Sequence, residues 1–397
     1  MNVVRSDVDA FSPTVPTIPG TIPSLDGIRA LAVCLVFFAH GGLQWIIPGG
    51  LGVTVFFVLS GYLITTLMRR EHAASGRLDL PAFYMRRLLR LMPPLLLVIA
   101  GTAVLSMLSL VEGAFTAQGL LSALFYFGNY YVIAADFQGL PAGVGVVWSL
   151  AVEEHFYLFF PLMAVVLLHV GRPGVSLTVL SGCCLAILAW RCWLAWHGAS
   201  ENYLGMATDT RADSILIGCA MAMWCNPVLD PVPGQSMRRD LAIAAGCILL
   251  LALSLLIRDV GFRLTFRYTL QSLAIAPLIY LAVARAASVP FRWLEARFLV
   301  YLGSVSYTVY LAHHIVLEAL AWHWPRLGGV GTLVIAATLT LLIAEAMRRW
   351  VEQPCAVLRR RLHQRRPVDP DQRPAHDRDG NALRPFQQDH ATTLERP

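Results

Sequence analysis

The sequence predicts an all-α, polytopic transmembrane helical bundle, and three observations predict it. Of 397 residues, 56% are hydrophobic and 14% charged, a balance that leaves too little polar surface to cover one water-soluble globule. Apolar runs long enough to cross a bilayer, about 17 to 25 residues each, recur along the chain. The loops between those runs alternate between Arg-rich and Arg-poor, as the two sides of a membrane require.

The first 22 residues are polar and rich in Pro and Thr, without the basic start and small-residue cleavage site of a signal peptide, so residues 1–23 are expected to be a cytosolic tail. Spans are then expected near 27–46, 51–68, 92–112, 146–168, 175–197, 211–226, 240–257, 267–286, 299–322 and 328–350, about ten in all, within a membrane domain over 24–352. The stretch 118–135 is apolar but broken by Gly128 and Asn129, and reads as a re-entrant or interfacial segment. With that count the loops 69–91, 169–174, 227–239 and 285–298 hold twelve arginines against five on the opposite side, which puts both termini in the cytosol. An eleventh crossing inverts every later loop and spoils this bias. Residues 353–397 form a basic tail, expected to be disordered from about Arg359.

The net charge of +6 is no sign of a nucleic-acid partner, because residues 348–397 alone hold eleven arginines against seven acidic residues. Seven of the eight cysteines sit in apolar runs, where cysteine behaves as a small hydrophobe, and none shows metal-ligand or disulfide spacing. No metal and no resident cofactor are therefore expected.

Within this apolar frame the few ionisable groups carry the functional argument. Arg29 and His40 are eleven residues apart, so on one continuous helix they share a face at about 16 Å separation. They line one cavity, or they are an arginine and a histidine reaching water from the two span ends. Arg86, Arg87 and Arg90 immediately precede an apolar run; Arg87 and Arg90 share a helix face suited to phosphates, although loop arginines of this kind also set topology.

Glu153 and Glu154 interrupt an apolar span, with Ser149, Glu153, Phe156 and Phe160 on one stripe and Tyr157 beside it. At that depth a carboxylate needs a partner, either as a structural node or to orient a histidine or arginine on another helix. Asp209, Arg211 and Asp213 open a later helix, where Asp also serves simply as a cap. Ser306, Tyr307, Tyr310, His313 and His314 lie within the ninth span, and a histidine there is structural or functional. Arg191, Glu318 and Glu345 are isolated in sequence and suggest no role.

Taken together, SLDGIRALAV with Arg29 and His40, FFVLSGYLI at 56–64, RRLLRLMPP at 86–94, WSLAVEEHFYL at 148–158, DTRADSILIG at 209–218 and GSVSYTVYLAH at 303–313 make the chain resemble the acyltransferase 3 family of integral-membrane O-acyltransferases. The resemblance covers residues 24 to about 352. It implies transfer of an acyl group, most often acetyl, from cytosolic acyl-CoA as co-substrate to a hydroxyl of a bacterial envelope glycan or exported glycoconjugate, in the cytoplasmic (inner) membrane.

It also implies catalytic roles for His40, Arg29, Glu153 and Glu154, donor binding by Arg86, Arg87 and Arg90, and substrate or structural polar roles for Ser60, Tyr62, Trp148, Asp209, Arg211, Tyr307 and His313. His155 departs from the family's usual Gln, and Ala312 from its frequent Trp. No soluble hydrolase-like domain follows residue 352 in this sequence, so the membrane core is expected to act alone or with a separate partner. The rival class is a transporter or flippase for a lipid-linked sugar, in which the same buried charges hold cargo without covalent chemistry.

Overall fold

A computed structural model of the chain describes residues 22–364 apart from 112, 233, 235 and 327, with side chains to residue 359. The first helices are α1 (Pro23–Phe38), α2 (Gly49–Ser75), α3 (Leu80–Met107), α4 (Ala117–Leu124), α5 (Gly128–Ala135), α6 (Trp148–Val170), α7 (Pro173–Trp196) and α8 (Glu201–Met206). The chain continues with α9 (Thr208–Trp224), α10 (Met237–Leu256), α11 (Val260–Leu264), α12 (Phe266–Ala284), α13 (Arg297–Ser304), α14 (Ser306–His323), α15 (Gly329–Met347) and α16 (Gln353–Gln364). Among the described residues no strand forms.

Among the described residues, eight helical stretches are long and apolar enough to cross a membrane: those built on α1, α2, α3, α6, α7, α10, α12 and α15. Two further helices run alongside these. The α9 helix runs parallel to α2, with Arg211 meeting Thr54 near one end and Ala222 meeting Arg69 near the other. The α14 helix follows α3, with Tyr307 bonded to the Leu91 carbonyl and His323 to that of Leu110. Both are less apolar because they carry polar groups at the centre of the bundle, where almost every residue of α9 from Thr210 to Met223 is buried.

The α2–α9 contact depends on two glycines. A Cβ on Gly218 would lie 2.1 Å from the Val58 carbonyl oxygen, and one on Gly61 would lie 1.9 Å from that of Ile215. Because both obstacles are backbone, a larger residue forces the helices apart. Gly218→Val is expected to destabilise the protein by on the order of 3 kcal/mol, read as a lower melting temperature in detergent; an unchanged melting temperature refutes the close crossing.

The stretch 118–135 does not cross. It folds as the short helices α4 and α5, closed at the neck by the Thr116 amide donating to the Gly139 carbonyl at 2.9 Å. The tip residue Tyr126 reaches a cleft beside Arg87 and Glu154, so the segment is a re-entrant hairpin. Three other boundaries differ from expectation. The span expected at 299–322 is broken at Val305 into α13 and α14. The helix carrying Arg86, Arg87 and Arg90 begins at Leu80, capped by the Asp79 carboxylate, so these arginines lie inside a helix and not ahead of one. Helix also continues past residue 352 to Gln364. The rest of that expected tail, and residues 1–21, lie outside the described residues.

Candidate active site

Arg29, Arg87 and Arg90 converge between α1, α2, α3, α6 and α14. An inner chamber of about 150 Å³ is lined by all three arginines with Ser60, Ser149, Glu153, Tyr157, Tyr307 and Tyr310. A wider vestibule of about 550 Å³ opens beside it, sharing Arg29, Arg90 and Tyr307 and adding Arg70, Arg348 and Arg359. Six arginines therefore border the two adjoining cavities.

Those arginines differ in how they are held. Arg29 donates to Asp26 at 2.8 Å, one turn before it on α1. The Arg87 guanidinium stacks 3.3 Å over the Tyr157 ring and donates to Glu154 at 2.9 Å, while its buried Nε has no partner among the described residues. Arg90 has neither a hydrogen bond nor an ion pair among the described residues, although it borders both cavities. Arg86 does not belong to the group: adjacent residues on a helix point about 100° apart, and it turns to Glu71 of α2 at 2.9 Å.

On α6 the chamber-facing residues are Ser149, Glu153 and Tyr157, whereas Phe156 and Phe160 turn into the core and stack at 4.9 Å between centroids. Ser60 of α2 lines the same chamber as Glu153 and Tyr157. Tyr310 closes the far side, its hydroxyl 2.7 Å from that of Ser149.

One turn beyond Tyr310, α14 presents His313 and His314 to His40. The end of α1 winds as a π turn over Ala39–Leu43, which opens the helix where His40 sits. His40 Nδ1 lies 2.9 Å from His313 Nε2, and its ring meets that of His314 edge-on at 4.7 Å between centroids. Neither glutamate holds this imidazole: Glu154 is committed to Arg87, Glu153 lines the chamber, and the partner is another histidine.

The arrangement thus has a basic mouth, a polar chamber and a histidine pair beyond it. The profile of the acyltransferase 3 family, described as an acyltransferase domain, matches residues 22–348. The chain belongs to the acyltransferase 3 family. It is 32% identical over 348 residues to a "Peptidoglycan O-acetyltransferase OatA" of Listeria monocytogenes, covering 84% of this chain and 55% of that protein. To an "O-acetyltransferase OatA" of Staphylococcus aureus it is 30% identical over 346 residues, covering 85% and 57%. The chain spans a little over half the length of these relatives. No solved structure matches.

The remaining motif residues of this acyltransferase 3 protein line neither cavity and tie the surrounding helices together. Tyr62 donates to Asn226 at 2.9 Å, tying α2 to the end of α9 away from the chamber. Trp148 packs edge-on against Phe57, and both flank the buried Arg211, whose guanidinium lies 3.7 Å from the Tyr268 ring centroid. Asp209 accepts from Trp190 at 2.7 Å and Tyr203 at 3.1 Å. His155 lies 2.8 Å from the Thr208 hydroxyl and packs on Phe127 and Tyr130 of the re-entrant hairpin.

Tyr307, by contrast, stands in the neck between the two cavities. Arg191 is not isolated: fully buried, it pairs with Asp213 at 3.0 Å. Glu345 holds Arg348 and Arg349, and Glu318 lies 3.8 Å from His314. Arg70, Arg348 and Arg359 are vestibule residues that sequence reading passed over as topological charge.

Proposed function

We propose that this protein transfers an acyl group, acetyl first among candidates, from acyl-CoA to a hydroxyl of a cell-envelope glycan. The observation that carries the proposal is Arg90, which among the described residues has no hydrogen-bond or ion-pair partner and stands between two cavities beside Arg29 and Arg87. A guanidinium left uncompensated in a bundle of this polarity is suited to an anionic ligand, and phosphate fits it in bidentate geometry. The phosphates of the donor bind in the vestibule, and the thioester arm extends through the Tyr307 neck into the chamber. The vestibule opens on the end that holds the Arg-rich loops, which supports a cytosolic donor in a bacterial inner membrane with both termini inside. The acceptor hydroxyl comes to His40 from the other end. The names of the two relatives support O-acetyl transfer to peptidoglycan or a related glycan as the first reaction to test.

His40 is the general base: it removes the hydroxyl proton as the oxygen attacks the thioester carbonyl, the C–S bond breaks with its electron pair on sulfur, and CoA leaves as the thiolate. Mass spectrometry of envelope glycans from cells with and without the protein tests this reading. An acyl-sized mass difference is expected, whereas loss of the whole polymer would mean transport. Arg90→Ala is expected to raise the KM for acyl-CoA about tenfold, the scale of one charged hydrogen bond, without lowering protein yield, because no partner is left unpaired. Unchanged donor affinity would remove Arg90 from the donor site. Arg87→Ala should differ by also reducing yield, since it strips Glu154 of its ion pair.

A further inference from the structure

We infer that His313 is a positioning residue that fixes His40 in the tautomer protonated at Nδ1, so that Nε2 is the nitrogen that takes the acceptor's proton. The inference rests on His40 acting as the base and goes beyond it by assigning the atom and the residue that selects it. His313 is fully buried, and its Nδ1 lies 2.7 Å from the Tyr310 carbonyl oxygen and 3.2 Å from that of Val309. A carbonyl oxygen only accepts, so the proton of a neutral His313 sits on Nδ1 and Nε2 carries the lone pair.

That lone pair faces His40 Nδ1 at 2.9 Å, and the contact is a hydrogen bond only if His40 donates. His40, an exposed residue, is then bare at Nε2. The reverse polarity requires both nitrogens of His313 to be protonated, placing a charge on a side chain with no exposure and no carboxylate partner among the described residues. The other titratable groups packed around the pair do not compete for these atoms. Tyr310 directs its hydroxyl to Ser149 and to the Val146 carbonyl, and His314 meets His40 through its ring and turns Nε2 towards Glu318.

During transfer the acceptor proton moves to His40 Nε2, the new oxygen–acyl bond forms and the thiolate departs. The imidazolium so formed keeps its Nδ1 hydrogen bond to the neutral His313 and releases the Nε2 proton to water. His313 thus does with a neutral ring what a carboxylate does in a serine-protease triad: it selects the tautomer and steadies the ring.

Two measurements on the full-length protein test this. Nitrogen-15 NMR of histidine-labelled protein, with His40 assigned by its absence in His40→Gln, should show His40 protonated at Nδ1 and bare at Nε2. This readout does not depend on activity, so it stands apart from the test of His40 as base. In the transfer assay, His313→Leu should lower kcat by about 10²-fold, within the range for loss of a correctly protonated base, with the KM for acyl-CoA within twofold. His313→Gln, whose side-chain carbonyl can accept from His40 Nδ1, should recover kcat to within several-fold of wild type. Protonation of His40 at Nε2 in the wild type overturns the inference, as does a His313→Gln protein that folds but is as slow as His313→Leu.

Discussion

Replacing His40 with alanine is expected to reduce acyl transfer by about 10²- to 10⁴-fold, the range for loss of a general base, while leaving expression and acyl-CoA binding near wild type. The separation of roles follows from where the residue sits. His40 lies at the π turn that ends α1, bonded to His313 and in contact with His314, and it lines neither arginine-bearing cavity. Its removal therefore leaves the donor site intact. Folding should also survive, because His40 is exposed and, among the described residues, the polar atom it leaves behind is His313 Nε2. Covalent transfer through His40 is distinguished by incubating the protein with labelled acyl-CoA in the absence of acceptor: label retained on wild type and missing from His40→Ala marks an acyl-histidine, and no retained label marks a base. Wild-type rates of glycan acylation in His40→Ala would exclude both roles.

Replacing Arg191 with methionine is expected to cost about 3–5 kcal/mol of stability, because it leaves a buried charge without its counterpart. Asp213 and Arg191 both have no solvent exposure. Arg191 donates to both oxygens of that carboxylate, to the Thr269 hydroxyl and to the carbonyls of Thr210 and Thr265, and Thr269 in turn donates to Asp213. The node joins α7, α9 and α12, so its loss loosens the wall behind Arg211 and Trp148. Asp213→Leu combined with Arg191→Met removes both charges and should recover part of the lost stability. Melting in detergent, followed by size-exclusion chromatography, reads both variants. An Arg191→Met protein that melts with wild type would show that the pair carries no net load.

The fold class was legible because hydropathy and the arginine bias report on a bilayer, a solvent the sequence must match along its whole length. The break at Val305 and the helix past Glu352 were not, since neither changes average hydropathy enough to be seen. In the site, local geometry carried as far as one helix turn. It placed Arg87 with Arg90, and the same rule applied to adjacent residues would have set Arg86 apart. Partners distant in sequence were beyond it: His40 meets His313 across 273 positions, and Arg191 meets Asp213 on another helix. For that reason Arg191 reads as isolated although it is fully buried and paired with Asp213, whereas Glu345, whose partners Arg348 and Arg349 lie one turn away, was within reach of the local rule.

The central claim is that the acyl group starts as a thioester at the Arg90 end of the bundle and finishes on a hydroxyl at the His40 end. Proteoliposomes of known orientation test it most directly, with labelled acetyl-CoA on one side of the membrane and a soluble envelope-glycan fragment on the other. Label should reach the glycan only when donor faces the Arg90 vestibule and acceptor faces His40, and His40→Ala should abolish it. Equal labelling with donor and acceptor exchanged, or movement of glycan across the membrane without labelling, would contradict the claim.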